Sequence, residues 1–233
     1  MKNFISLPIV RSSVSAASLF ALSAVPALAD VTLKGSVGAR VIDDDVVIAR
    51  NTRCVMEGTL IKGNIRVLSG AKLIGKRIRV DGNVQAFDAF LVDLRQGTRV
   101  EGDVQGEGTR SIRVVGGTRV SGNVQLTEGS APAGVDALLV SGATVEGDVQ
   151  AEKSSGRLRS RNSTVDGNLQ FVENRRGPYL IRNNSIDGDL QFFKNQGSGT
   201  ITDNTVKGNL QSKENRPAPV VTGNRVEGDL ELE

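Results

Sequence analysis

The chain of 233 residues is long enough for one domain with a substantial core, and it contains no histidine and one cysteine. The lack of histidine excludes Ser-His-Asp and Cys-His catalytic arrangements and the usual zinc sites. Lys and Arg number 29 against 26 Asp and Glu. No Lys/Arg block is interleaved with aromatic residues, so we expect no nucleic-acid partner.

The first 29 residues have the three parts of a bacterial secretory signal peptide. Lys2 and Arg11 are basic, and the apolar run at 14–25 (VSAASLFALSAV) is too short to span a bilayer. The small residues Ala-Leu-Ala that end at position 29 are typical of a cleavage site. We therefore predict cleavage before Asp30 and export to the periplasm or the exterior, with no integral membrane segment in the mature chain.

Residues 30–233 would then be the mature parallel β-helix domain argued for below. Two basic residues and no acid lie in 1–29, so the mature chain carries 27 Lys and Arg against 26 Asp and Glu, a net of +1. Cys54 has no internal disulfide partner; it is either a small buried apolar side chain or a partner for a cysteine of another chain. With no Trp and one Tyr, the core must consist of Val, Ile and Leu, which favour strands.

A six-residue motif, called the box below, recurs nine times. It consists of an apolar residue, any residue, Gly, Asn or Asp, a second apolar residue and usually Gln. Neighbouring box glycines are 19–21 residues apart, and once 25, and a period of this size is typical of a solenoid. The boxes lie at 61–66, 80–85, 100–105, 120–125, 145–150, 165–170, 186–191, 206–211 and 226–231.

The apolar positions of the box alternate with polar ones, which indicates a strand with one buried face. An apolar pair and a Gly/Asn-rich bend precede the later boxes and predict a second strand per repeat, with Asn184, Asn204 and Asn224 in a stacked left-handed turn. We expect an irregular first coil near 41–50 and a five-residue insertion within 127–136. One box per coil, with unlike faces, favours an all-β fold: a single-stranded right-handed parallel β-helix (solenoid) with coils of about 20 residues.

Stacking the boxes places two polar columns on the surface, with a step of about 4.8 Å. The fourth position alternates between amide and carboxylate, and an amide between two carboxylates can donate to one of them and relieve repulsion. The sixth position predicts either a stabilising amide ladder or a flat polar surface for a repetitive partner such as a glycan. The columns are Asn83, Asp103, Asn123, Asp148, Asn168, Asp189, Asn209 and Asp229, and Gln85, Gln105, Gln125, Gln150, Gln170, Gln191 and Gln211.

The pattern gives little support for catalysis or metal binding. Box acids such as Glu101 and Glu146 recur from coil to coil, whereas an active site needs one unlike set of residues. Only the loop 127–136 breaks the period, and it contains one acid pair, Glu128 and Asp136. Box oxygens suit calcium, but the Gly-Gly-x-Gly-x-Asp run of calcium-binding rolls is absent. We predict no catalytic, cofactor-binding or metal-binding residues, no cofactor and no enzymatic activity.

The stretch NTVKGNLQSKENRPAP at 204–219 resembles a run near the C-terminus of secreted bacterial proteins of unknown function, N-T-V-x-G-N-L-Q-C-x-x-N-x-P-A-P. Related pieces at 171–178 and 192–199 extend the likeness over about 160–231. Ser212 stands where those proteins have a cysteine, so a disulfide role there is lost. The resemblance implies export and a repeat fold, and no activity. The V-x-G-x-V rhythm is also similar to bactofilins, which polymerise end to end but are typically cytoplasmic.

These expectations together describe an exported, non-enzymatic β-helix with a structural or surface-binding role in the bacterial cell envelope. Its expected partners are cell-surface polysaccharide or itself, stacked end to end. The alternative is a polysaccharide-binding or polysaccharide-cleaving protein on the same fold.

Overall fold

The computed structural model describes residues 30–233, and the predicted signal peptide at 1–29 lies outside the described residues. Residues 30–233 form thirty-one short strands and no helix, arranged in three parallel sheets. Each turn of the chain adds one strand to each sheet, so ten coils are stacked, and a last strand follows the tenth. The predicted parallel β-helix with coils of about 20 residues is confirmed.

Sheet A contains β1 (Val31–Leu33), β4 (Val46–Ile48), β7 (Ile65–Val67), β10 (Val84–Phe87), β13 (Val104–Glu107), β16 (Val124–Thr127), β19 (Val149–Glu152), β22 (Leu169–Val172), β25 (Leu190–Phe193), β28 (Leu210–Lys213) and β31 (Leu230–Leu232). Sheet B contains β2 (Gly35–Val37), β5 (Arg53–Glu57), β8 (Lys72–Lys76), β11 (Leu91–Arg95), β14 (Ile112–Val115), β17 (Asp136–Ser141), β20 (Arg157–Arg161), β23 (Tyr179–Arg182), β26 (Gly199–Thr202) and β29 (Val220–Thr222). Sheet C contains β3 (Val41–Ile42), β6 (Leu60–Ile61), β9 (Arg79–Val80), β12 (Arg99–Val100), β15 (Arg119–Val120), β18 (Thr144–Val145), β21 (Thr164–Val165), β24 (Ser185–Ile186), β27 (Thr205–Val206) and β30 (Arg225–Val226).

The box is not one strand, as its alternation predicted, but a corner between two strands. Val100 ends β12 in sheet C, and Val104 begins β13 in sheet A, so each coil has three strands and not two. Both valines are buried. The period-two pattern was misleading because a corner that turns around the core also directs the first and fifth residues inward.

The box glycine is required at this corner because successive coils approach closely. A Cβ atom on any box glycine would lie 2.7–2.9 Å from backbone atoms of the coil before it, closer than real Cβ contacts. The Oδ1 atom of the preceding Asn or Asp occupies the same space. The glycines are Gly63, Gly82, Gly102, Gly122, Gly147, Gly167, Gly188, Gly208 and Gly228.

The solenoid begins earlier than the sequence predicted, and its long coil contains the predicted side loop. Two coils, not one, precede the first box, because the chain already pairs in register from Val31 with Val46. The extra residues between β16 and β17 form a side loop, as predicted, and pairing continues on both sides of it. Only the pairing between Asp136 and Leu138 shifts, where the loop rejoins sheet B.

Buried apolar residues form one column inside the coils. Val104 pairs with Val124 in sheet A, so like side chains recur at successive levels. In the C-terminal half, the ring centroids of Phe171 and Phe192 are 6.5 Å apart, and those of Tyr179 and Phe192 are 5.6 Å apart in an edge-to-face arrangement. Each fully buried side chain of this size contributes roughly 1.5–3 kcal/mol.

Candidate functional site

The Asn/Asp column, called the Asx column below, bonds each coil to the one before it. The backbone N–H at each position donates to Oδ1 of the preceding member at 2.7–2.9 Å. The column begins below the nine boxes, with Asp45 accepting from Asn64. Such side-chain acceptors satisfy backbone donors at the corner, where no sheet ladder is available.

The alternation of amide and carboxylate has the predicted consequence. Asn123 also donates from Nδ2 to Asp103 Oδ1 at 3.2 Å, whereas Asp148 is bonded to Asn123 only through its backbone N–H. The second oxygen of Asp103 accepts from Gln105 at 3.3 Å. Protein donors therefore contact both oxygens of this carboxylate, and no two carboxylates of the alternating stretch are adjacent.

The predicted amide ladder is formed by the glutamine column from Gln105 to Gln211. Gln105 donates from Nε2 to Gln125 at 3.1 Å, and Gln125 donates to Gln150 at 3.0 Å. Gln150 continues the chain to Gln170 and also donates to Asp148. The glutamine amides that would have to contact a glycan are therefore already hydrogen-bonded between neighbouring coils. Recognition of a glycan by this column stays a prediction.

The column of Asn184, Asn204 and Asn224 differs from the prediction in its backbone. The left-handed residue is the one before each asparagine, for example Asn183 with φ 53° and Asp203 with φ 57°. Asn184 is buried; it donates to the Ser160 carbonyl oxygen at 2.9 Å and to Asn204 at 3.0 Å. The turn at the preceding residue directs the asparagine inward, where it bonds backbone groups that the sheets leave unpaired.

A second buried asparagine column was missed by the sequence analysis. Asn174, Asn195 and Asn215 stack at the third corner, and Asn195 donates to the Phe171 carbonyl oxygen at 2.7 Å. The signal was present as asparagines 20–21 residues apart. The N-terminal coils place Thr or Ser at their inner corners, such as Thr109, which donates to the Ala86 carbonyl oxygen.

The acid pair of the loop 127–136 is not brought together. Asp136 is 8% exposed and lies between two arginines, Arg157 and Arg159. Glu128 is exposed, and within residues 30–233 no hydrogen bond or ion pair joins it to Asp136. The same residues contain no group of three or more His, Cys, Asp or Glu side chains arranged to hold a metal ion.

The outward positions of sheet B in coils four to eight carry six arginines and two aspartates. The same five coils of sheet A carry two glutamates and no basic residue. Sheet C carries Arg99 and Arg119 in the same coils, so the excess of positive charge is largest on the surface of sheet B. We call this surface the arginine face; its arginines are Arg95, Arg113, Arg157, Arg159, Arg161 and Arg182.

The two aspartates of the arginine face lie beneath its arginines. The Asp136 side chain is 10% exposed, accepts from Arg159 Nε at 2.8 Å and lies 3.1 Å from Arg157 Nε. The Asp93 side chain is 6% exposed and lies 3.4 Å from Arg95 Nη2. These arginines keep about a quarter to two-fifths of their side chains exposed, so the arginines are accessible and the aspartates are covered.

The C-terminal part of the arginine face contains two neighbouring arginines with little internal pairing. Arg161 and Arg182 are in register on β20 and β23. Within residues 30–233 the Arg161 side chain has no ion pair, and Arg182 lies 3.5 Å from Asp203. Both arginines border a shallow groove of about 410 Å³, whose remaining lining residues are Asn162, Leu180, Asn183 and Asp203.

Cys54 is fully buried and free, which confirms the first of its two predicted roles. Burial raises the pKa of its thiol to about 11. The thiol therefore stays protonated at neutral pH and is a poor nucleophile.

No protein-family model matches the chain, and no curated protein and no solved structure matches it significantly. The resemblance of residues 160–231 to secreted bacterial proteins therefore stays a prediction. Across residues 30–233, no helix is long and apolar enough to cross a membrane.

Proposed function

We propose that the chain is an exported, non-enzymatic β-helix with a structural or surface-binding role in the bacterial cell envelope. The observation that supports this role is the periodic surface, on which the Asx and glutamine columns are bonded from coil to coil. A rod built this way keeps its shape through repetition and offers a long surface to a partner. Its proposed partners are cell-surface polysaccharide or further copies stacked end to end.

The export half of the proposal rests on the sequence of residues 1–29. It is tested by fractionating bacteria that produce the full chain and sequencing the N-terminus of the product. We expect a chain that begins at Asp30 in the periplasm or the medium. A variant with Leu19→Glu and Leu22→Glu in the apolar run should stay uncleaved in the cytoplasm, whereas Leu19→Ala should not. An uncleaved cytoplasmic wild-type chain would contradict export.

The envelope role is tested by association with isolated cell envelopes. We expect the protein to sediment with envelopes and to be released when envelope polysaccharide is digested. Recovery of all the protein in the supernatant would contradict a surface-binding role. Light scattering of the purified protein checks end-to-end stacking, which predicts particles that lengthen with concentration.

Polysaccharide cleavage is a second candidate, favoured by Asp136. This acid lies at the loop 127–136, the one break in the period, beside Arg157 and Arg159. Glu57 also lies beside two basic residues, but it is exposed and lies outside this loop. Incubation with acidic and neutral polysaccharides tests it. New reducing or unsaturated ends that are absent with Asp136→Asn would establish the enzyme, and their absence with the wild type would remove this candidate.

A further inference from the structure

We propose that the arginine face binds an acidic polysaccharide through guanidinium–carboxylate pairs that recur from coil to coil. This inference rests on the proposed function, because it names the partner class for a surface-binding envelope protein. It assigns binding to sheet B, whereas the glutamine column of sheet A is bonded to itself.

The charge of the face selects an anion. Six arginines against two aspartates leave a surplus of four positive charges on five strands. The aspartates are covered, and the hydrogen bond that Arg159 donates to Asp136 holds one guanidinium in place. Guanidinium groups favour carboxylate partners, which accept two parallel N–H bonds.

The arrangement of the arginines selects a polymer over a single ion. Arg161 and Arg182 are one coil apart, about 4.8 Å, and Arg159 and Arg161 are two residues apart on one strand, about 6.6 Å. Five coils extend about 19 Å along the axis. A chain of sugar acids carries carboxylates at intervals along its length, so one molecule engages several arginines at once and gains from multivalency.

The face suits sugar better than nucleic acid. Single-stranded nucleic acids bind on exposed aromatic side chains, where bases stack. The five sheet B strands of this face contain one aromatic residue, Tyr179, and it is 2% exposed. Leu180, half-buried in the groove between Arg161 and Arg182, instead offers a small apolar surface to the C–H groups of a sugar ring.

Binding to polygalacturonate, in which every sugar carries a carboxylate, tests the inference, with its fully methyl-esterified form as the uncharged comparison. The test variant is Arg161→Gln with Arg182→Gln. The matched control is Arg99→Gln with Arg119→Gln, which removes two arginines that are likewise one coil apart and in register, on sheet C. Affinity is measured by isothermal titration calorimetry on the purified full chain, and circular dichroism melting checks that each variant folds.

We expect the wild type to bind polygalacturonate and not its ester, with affinity that falls as salt rises. The test variant should bind about tenfold more weakly, since each exposed ion pair is worth roughly a threefold change. The control should change less than about twofold, because its arginines lie outside the arginine face. If the test variant does not fold, Arg113→Gln probes the same face alone.

Three results would overturn the inference: no binding of polygalacturonate by the wild type, equal losses in the two double variants, or tighter binding of single-stranded DNA than of polygalacturonate. None of them would affect export or sedimentation with envelopes, which test the proposed function separately. A cytoplasmic chain that nevertheless bound polygalacturonate through Arg161 and Arg182 would contradict the proposed function and leave the binding surface intact.

Discussion

A single methyl group at Gly122 should force two coils apart. The backbone of Gly122 is not in the left-handed region, so alanine is compatible with its φ. Its Cβ, however, would lie 2.8 Å from the Gly102 carbonyl carbon and 2.9 Å from the Gly102 oxygen, and would also meet Asp103 Oδ1. Relief requires a shift of the backbone, and the Asp103 side chain must also move, which breaks its bond with the Asn123 N–H.

The expected effect of Gly122→Ala follows from three contributions. Overpacking costs about 1–3 kcal/mol, and the lost hydrogen bond costs about 1 kcal/mol. The lower entropy of the unfolded alanine chain offsets about 0.5–1 kcal/mol. The net loss in the free energy of unfolding is roughly 2 kcal/mol, or a fall in Tm of about 4–8 °C for a domain of this size.

Thermal melting followed by far-ultraviolet circular dichroism measures this effect, with Gly38→Ala as the control. Gly38 also lies outside the left-handed region, but a Cβ there would meet no atom within 4 Å. The control should therefore melt at the wild-type temperature or slightly above it. If Gly122→Ala and Gly38→Ala melt together, the argument that close stacking requires the box glycine is wrong.

Three further predictions concern the columns and the core. Gln125→Thr with Gln150→Thr breaks three links of the amide ladder and should lower the free energy of unfolding by roughly 2 kcal/mol in urea titrations. Binding of polygalacturonate should be unchanged in this variant. A loss of binding would show that the glutamine column is part of the binding surface. Asn195→Ala leaves the Asn174 N–H and the Phe171 carbonyl oxygen without their side-chain partner and should cost roughly 3 kcal/mol in the same assay. The exposed control Ser185→Ala should cost under about 0.5 kcal/mol, and similar losses would argue against the role of the buried column. Burial raises the pKa of the Cys54 thiol to about 11, so this thiol ionises at lower pH in the unfolded chain than in the folded one. The free energy of unfolding should therefore fall between about pH 9 and pH 11, and Cys54→Ala should flatten that fall. Identical pH profiles of the two proteins would contradict the raised pKa of Cys54.

The sequence predicted the solenoid well because its strongest signal comes from covalent spacing. A residue repeated every 20 positions can only be stacked if the chain closes a coil over that length, whatever the local propensities are. The box corner could not be recognised, since Val100 and Val104 point inward both in a straight strand and in a corner. The third strand per coil was missed for the same reason.

The arginine face was not predicted because arginine does not recur at the same position in every coil. Arg113, Leu139 and Arg159 occupy one register position on β14, β17 and β20, and the insertion between β16 and β17 separates the first two by 26 residues. Their alignment becomes visible only when the strand register is known across that loop. The box columns, by contrast, are easy to recognise in the sequence. A glycine stands directly before each Asn or Asp of the box, and three residues before each glutamine.

The loop at 127–136 also makes this protein suitable for locating it in bacterial cultures with an epitope tag. The chain leaves the stack after Ala131, whose N–H still bonds to Ser155 of the next coil, and returns to it at Asp136. A short epitope placed between Pro132 and Val135 would project sideways, where neither sheet pairing nor the buried asparagines are interrupted. Antibodies against such a tag would report where the molecule resides by immunogold microscopy, without altering the length of the rod.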